Sequence, residues 1–149
     1  MITIELREEL TDEAIRRARQ AVSAAVHKAA ARIEAGAKLR APVDTGNLRN
    51  SIMARREGEL TASVGVSAEY AAAVEFGTGG RSVAPGANKR PIIIRPVRKR
   101  ALWWPGARHP VREVRQEGQA PRPFLVPAVE EERPRFAREI AAAVGGETQ

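Results

Sequence analysis

Few side chains in this sequence have the type and spacing of a catalytic or metal site. His27 falls in a long helical pattern, and His109 stands beside Pro110 in a basic stretch. Neither is joined by a His-x-Glu or cysteine pair, so no zinc-ligand spacing is present. The chain has no cysteine, which excludes disulfides, thiolate nucleophiles and cysteine metal sites and is compatible with a reducing compartment. Asp44-Thr45-Gly46 has the look of a phosphate turn but lacks the Gly-Lys-Ser/Thr ending such a turn needs. Glu69 and Glu75, with Glu113 and His109 further on, are too ordinary in spacing to assign as an acid and a base. No Ser/His/Asp arrangement can be argued. The expectation is no catalytic residue, no metal and no cofactor.

What the sequence does concentrate is positive charge. The net charge is +7, but ten Lys/Arg lie between Arg81 and Arg115 with one acid, Glu113, so that window carries +9. The other residues sum to 15 basic minus 17 acidic, or −2. The candidate interface residues are Lys89, Arg90, Arg95, Arg98, Lys99, Arg100, Arg108 and Arg112, with Trp103 and Trp104 available for stacking. Three readings stay open for this segment: a solvated face, docking on an acidic protein ring, and direct contact with DNA.

The scaffold that must position these residues is bounded by length and composition. A chain of 149 residues fits one domain, residues 1–149, with the basic segment at 79–121. Aromatics are only 4%, and alanine supplies much of the apolar content, so packing relies on close backbones and on partners; this points to oligomerisation. The start, MITIELREEL, has no basic region followed by an apolar stretch and is not read as a signal peptide. No run approaches the ~18 apolar residues of a membrane span.

Ile2, Ile4 and Leu6 alternate with polar residues, as in a short strand. Thr11 or Asp12 caps a helix to Arg40, roughly 45 Å long, with one stripe through Ile15, Ala18, Val22, Val26, Ala29, Ile33 and Ala37. Its Ala face covers a sheet or meets another subunit, and Gly36 bends it or admits a close neighbour. Pro42 stops it, and Asp44-Thr45-Gly46 turns the chain. Leu48 and Ile52 suit one helical turn or the lead into a strand from Ser51 or Ile52 to Arg56. Glu57-Gly58-Glu59 then turns a hairpin back along Leu60–Val66, with Leu60, Ala62, Val64 and Val66 on one face.

Ser67 can cap a helix over Ala68–Phe76, with Tyr70, Ala71 and Val74 inward and Gly77 ending it. Gly79–Lys89 reads as a mobile loop. Pro91–Val97 reads as a buried strand, Arg98–Arg100 as a basic turn, Ala101–Trp104 as a second short strand and Val111–Val114 as a third. After the loop Glu117–Pro123, Phe124 and Leu125 anchor a final helix. Pro127 suits its first turn, and Pro134 predicts a kink or a restart. Phe136, Ile140 and Val144 line one face before Gly145-Gly146. The fold class is α+β: a long N-terminal helix and a C-terminal helix packed on a mainly antiparallel β-sheet. Its strands are the hairpin Ile52–Val66 and the runs near Ile92–Val97 and Ala101–Trp104.

Three stretches in order, APVDTGNLRNSI, YAAAVEFGT and APRPFLVPAVEEE, resemble the gene-product-ten tail-component family of HK-type long-tailed bacteriophages, over about Thr11 to Val144. The shared motif positions are Pro42, Asp44, Thr45, Gly46, Leu48, Tyr70, Glu75, Phe76, Gly77, Thr78, Pro123 and Phe124, all read as folding positions. Pro134 and the bulk of Trp103-Trp104 depart from the pattern. The resemblance implies a virion structural protein without enzymatic activity, assembled in the host cytoplasm. It would form a ring, of six copies for a tail terminator, between the head-closure or connector proteins and the tail-tube protein, with genomic DNA passing through. The rivals are a stand-alone DNA-binding protein using residues 81–115 and a nuclease or toxin-like enzyme on a small basic fold.

Overall fold

The computed structural model of the chain describes residues 12–98 and 100–145. The expected strand Ile2–Leu6, the Thr11 cap, Lys99 and Gly146 lie outside the described residues. Helix α1 runs from Asp12 to Arg40, ~43 Å at 1.5 Å per residue, unbroken through Gly36. A Cβ on Gly36 would sit 3.4 Å from the Ala128 Cβ, so this glycine lets the C-terminal helix α4 (Leu125–Gly145) approach closely. The facing pairs Gly36/Ala128 and Arg32/Glu132 run in opposite chain directions, so α4 lies antiparallel to α1.

Between the two helices the chain forms α2 (Asn47–Asn50), then the antiparallel hairpin β1 (Ile52–Arg56) and β2 (Ala62–Val66). Gly46, at φ 83°, makes the corner before α2, a backbone position that glycine reaches without penalty. Ile52, Val64 and Val66 turn toward the helices, joining Ala37, Ala41, Leu48, Ala71, Val74, Phe124 and Ala128 in the core. Leu60 is not on the inner face: the turn extends to Thr61, whose carbonyl accepts from Glu57 and Gly58 N–H. Ser23 Oγ donates to the Glu59 carbonyl (2.6 Å), which ties the turn to α1 and leaves Leu60 exposed. On the other edge, the Ala54 N–H donates to Glu34 Oε2 at 2.8 Å.

The next helix is shorter than its apolar pattern suggests. Helix α3 covers Ala71–Phe76; it starts after Tyr70, not after Ser67, and Tyr70 is half exposed instead of facing inward. Gly77 ends it at φ 72°, followed by a short 3-10 turn at Gly79–Arg81. Strand β3 (Ile92–Ile94) pairs antiparallel with β4 (Val114–Gln116) in register Ile92↔Gln116. This is a second two-stranded sheet, separate from the hairpin. The α+β class holds, but one continuous sheet is not formed.

The isoleucine strand is also not buried: Ile92, Ile93 and Ile94 are 39–45% exposed. Ala101–Trp104 contributes a single bridge, Leu102↔Val111, and the third strand begins at Val114 rather than Val111. Prolines at 91, 96, 105 and 110 withhold ladder donors and keep each pairing short. Helix α4 takes Pro127 in its first turn and continues through Pro134 without a restart. Phe136 and Ile140 are half-buried and Val144 is exposed. No described helix is long and apolar enough to cross a membrane.

A charged staple fastens α1 to α4. Arg32 donates from Nε and Nη2 to Glu132 Oε1 (2.8 and 2.6 Å) and from Nη2 to Glu139 Oε2 (2.7 Å). Hydrogen bonding from Arg32 holds the Glu139 carboxyl below the usual glutamate range, with a smaller contribution from Arg135. Glu34 is lowered too, first by Lys38 and then by the Ala54 N–H. Both carboxyls are depressed in the folded state, so their stabilisation is present above the unfolded value of ~4.3. It is lost as pH falls through the lower folded values. The urea midpoint should therefore hold from pH 7 to about 5 and fall below about pH 4.3. Arg32→Met should start lower at neutral pH and lose less on acidification. A wild-type midpoint unchanged at about pH 3 contradicts this assignment.

Candidate functional site: a clasped junction and a basic arm

Helix α4 starts without a local cap. The residue before it is Phe124 and its first turn contains no acid, although helix N-termini leave four N–H groups unpaired. The cap comes from α3, about fifty residues upstream. Glu75, buried at 5% exposure, accepts from the N–H of Phe124 (2.8 Å) and Leu125 (3.0 Å) on Oε2, and from Val126 N–H (2.9 Å) on Oε1. A carboxylate here satisfies three orphan donors and sits at the positive end of the helix dipole. Glu75 is thus a structural carboxylate and not half of an acid–base pair with Glu69.

The neighbouring residues close the same junction. Thr78 N–H donates to the Gln119 carbonyl (2.9 Å), and Thr78 Oγ1 accepts from the Gln119 N–H (2.9 Å). The Arg122 N–H donates to the Val74 carbonyl (2.7 Å). Gly77 is required: a Cβ there would lie 2.6 Å from the Gln119 oxygen. The EFGT and PRPF stretches are therefore two halves of one clasp, with Phe124 fully buried behind it and Phe76 half-buried beside it. Pro123 stays exposed. A groove of about 320 Å³ runs past the clasp, lined by Asp44, Thr45, Gly46, Tyr70, Gln119 and Arg122 among others. All three motif stretches meet here, with Leu48 buried at the groove's floor and Pro42 at its rim.

Everything between the two halves of the clasp, residues 79–118, is an excursion from the body. None of its described residues belongs to the core cluster, and β3 packs chiefly on β4. This arm carries the predicted basic residues. Arg95 is ion-paired, with Glu113 at 3.2 Å. Among the described residues, Arg81, Lys89, Arg90, Arg98, Arg100, Arg108, Arg112 and Arg115 form no ion pair within 4.0 Å. Beside them stand Val97 (97% exposed), Trp103 (64%) and Trp104 (47%). The structure gathers these residues on one segment but does not gather them into a pocket. Lys99 lies outside the described residues, and His109 is an exposed loop residue.

Among the described residues, no group of histidine and carboxylate side chains is placed to hold a metal ion. Sequence reasoning missed the role of Glu75. The available signal was a helix launched from Pro-Arg-Pro-Phe with no Ser, Thr, Asp or Asn before it, which requires a cap from elsewhere.

The comparisons agree with the motif content. Neither the curated proteins nor the solved structures offer a match to this chain. One family model does match, described as "Bacteriophage HK97-gp10, putative tail-component", over residues 5–77. That span holds α1, the PVDTGNL corner, the hairpin and α3, and it stops at the glycine where the arm departs. Residues 5–77 of the chain thus match the HK97-gp10-like family, whose model is described as a bacteriophage "putative tail-component".

Proposed function

We propose that this chain is a non-enzymatic structural protein of the virion, one head–tail junction domain that builds a ring at the neck of a long-tailed bacteriophage. As a tail terminator or neck protein it joins the head-closure ring to the tail tube, in six copies for a terminator, with genomic DNA passing through the ring. Assembly takes place in the host cytoplasm.

The observation that carries this reading is how little of the described apolar content is spent on an internal core. Among the described residues few large apolar side chains are buried, and Phe124 and Ile52 are the largest that are fully so. Seven of the eleven buried apolar residues are alanines, so little of the apolar content is spent on an internal core. Leu39 (86%), Val43 (61%) and Tyr70 (48%) add exposed apolar surface near the motif groove. A small alanine-built core beside exposed apolar side chains fits a subunit completed by neighbours.

The test reverses charge at Arg98, Lys99 and Arg100 to Glu. Heads and tails carrying this variant should accumulate separately, while the purified protein keeps its thermal midpoint, because Arg98 and Arg100 are exposed and lie outside the core. Normal joining by the triple variant overturns the reading.

A further inference from the structure

The arm mixes two kinds of surface that a solvated loop has no reason to combine. Eight of the arm's nine described cations carry no ion pair, whereas seven of the fourteen in the described body, Arg16, Arg17, Arg19, Arg32, Lys38, Arg40 and Arg135, are each matched with a glutamate. Alongside these free cations lie Ile93, Ile94, Val97, Trp103 and Trp104, all exposed by 41% or more. The register Ile93↔Arg115 and Ile94↔Val114 sets aliphatic and cationic side chains next to each other on the β3–β4 ribbon.

Phosphate backbones would account for the cations but not for the isoleucines, since nucleic-acid interfaces are polar and highly charged. Protein interfaces account for both: Trp and Arg are their enriched anchors, and an apolar centre with a charged rim is their usual plan. The body of the same chain is only −2 outside the basic window and keeps unpaired cations of its own, so a second copy offers little complementary charge.

We infer that residues 79–118 form a docking arm for a different protein whose surface is acidic around an apolar patch. The arm can serve this purpose without disturbing the body, because it leaves and returns at the Thr78–Gln119 clasp and gives nothing to the core. The inference deepens the neck-protein reading by naming the chemistry of one partner. It does not require the ring: a protein that binds as a monomer keeps the arm's role while removing support for assembly.

The chain contains two tryptophans, both on the arm, so intrinsic fluorescence reports arm contacts alone. The full-length protein is titrated with three probes: a synthetic acidic peptide with leucines interspersed, polyglutamate, and a duplex of about 24 base pairs, long enough to span two turns. The leucine-bearing peptide should shift the emission to the blue and should still bind at about 0.3 M salt, where exposed charges are strongly screened. Polyglutamate and duplex DNA should bind only at low salt. Ile93→Ser should weaken the peptide about tenfold, as expected for one trimmed anchor, and leave any DNA binding unchanged.

Duplex binding at least as tight as that of the peptide makes the arm a nucleic-acid element and overturns the proposal. A blue shift that grows with protein concentration alone, with a matching rise in mass, assigns the arm to a second copy and overturns it equally. No shift with the leucine-bearing peptide also overturns it. The Ile93→Ser protein is checked by circular dichroism; should it misfold, Trp104→Ser replaces it with the same expected loss.

Discussion

Glu75→Ala lowers the unfolding free energy by about 3 kcal/mol. The substitution removes the acceptor of three backbone N–H groups at the start of α4 and puts nothing in its place. Losing a helix cap costs about 0.5–2 kcal/mol, and hydrogen bonds to a charged group are worth about 1.5–3 kcal/mol. The donors are shielded from solvent beside Phe124, which is 1% exposed, so water does not readily replace the carboxylate. Glu75→Gln keeps an oxygen of the same reach but loses the charge that the helix dipole favours; it should cost about half as much. Glu69→Ala is the control, since Glu69 is exposed and its removal should stay within about 0.5 kcal/mol. Chemical denaturation at neutral pH measures all three. A Glu75→Ala value no larger than the control's removes Glu75 as the cap. In a domain of this size the expected loss corresponds to about 6–12 °C in Tm.

Gly118→Ala destabilises by about 3 kcal/mol, and Gly106→Ala by only about 1 kcal/mol. Both glycines hold a positive φ, 95° at Gly118 and 93° at Gly106, so an added Cβ meets the same backbone penalty at each. Their surroundings differ. A Cβ at Gly118 would lie 1.9 Å from the Thr78 carbonyl oxygen, whereas at Gly106 nothing stands within 4 Å. Backbone cannot step aside as a flexible side chain can, so the clasp must shift. The Gln119 pairing with Thr78 and the path into Phe124 shift with it. The difference between the two variants isolates that clash from the φ penalty. Equal losses would mean that the clasp is not a tight contact. Native-state hydrogen exchange adds a local readout: the Thr78 and Gln119 amides should exchange faster in Gly118→Ala, with the α1 amides following only the global change.

Local patterns in the sequence announced most of the body. The stripe from Val22 to Ala37 requires a helix, Pro42 and Gly46 require its stop, and the alternation Ala62, Val64, Val66 requires a strand. In each case the signal and the structure it specifies lie within one turn of each other. The errors fell where the deciding contact is distant. Tyr70 carries apolar bulk at helical spacing but remains outside, because α3 begins one residue later. The Ile92–Ile94 run has the composition of a buried strand, yet it lies on the far side of the clasp, where no helix reaches to cover it. Glu75 looked unremarkable because its partners are the backbone of residues 124–126, and backbone donors leave no trace in composition. The basic residues were found by type alone; that eight of the nine described ones have no ion pair, Arg95 being the exception, is a property of the fold.

The Thr78–Gln119 pairing has a consequence in chain statistics. Where a segment starts and ends at neighbouring backbone atoms, the entropy of closing it rises only as the logarithm of its length, about 0.6 kcal/mol for each doubling. The body therefore places almost no limit on how long that segment can be. Insertions, deletions or replacements between residues 84 and 116, clear of the clasp, leave the cap on α4 and the packing of Phe124 as they were. Partner choice can drift by exchanging this one segment, while the frame that presents it is held to its present sequence by Glu75, Gly77 and Gly118.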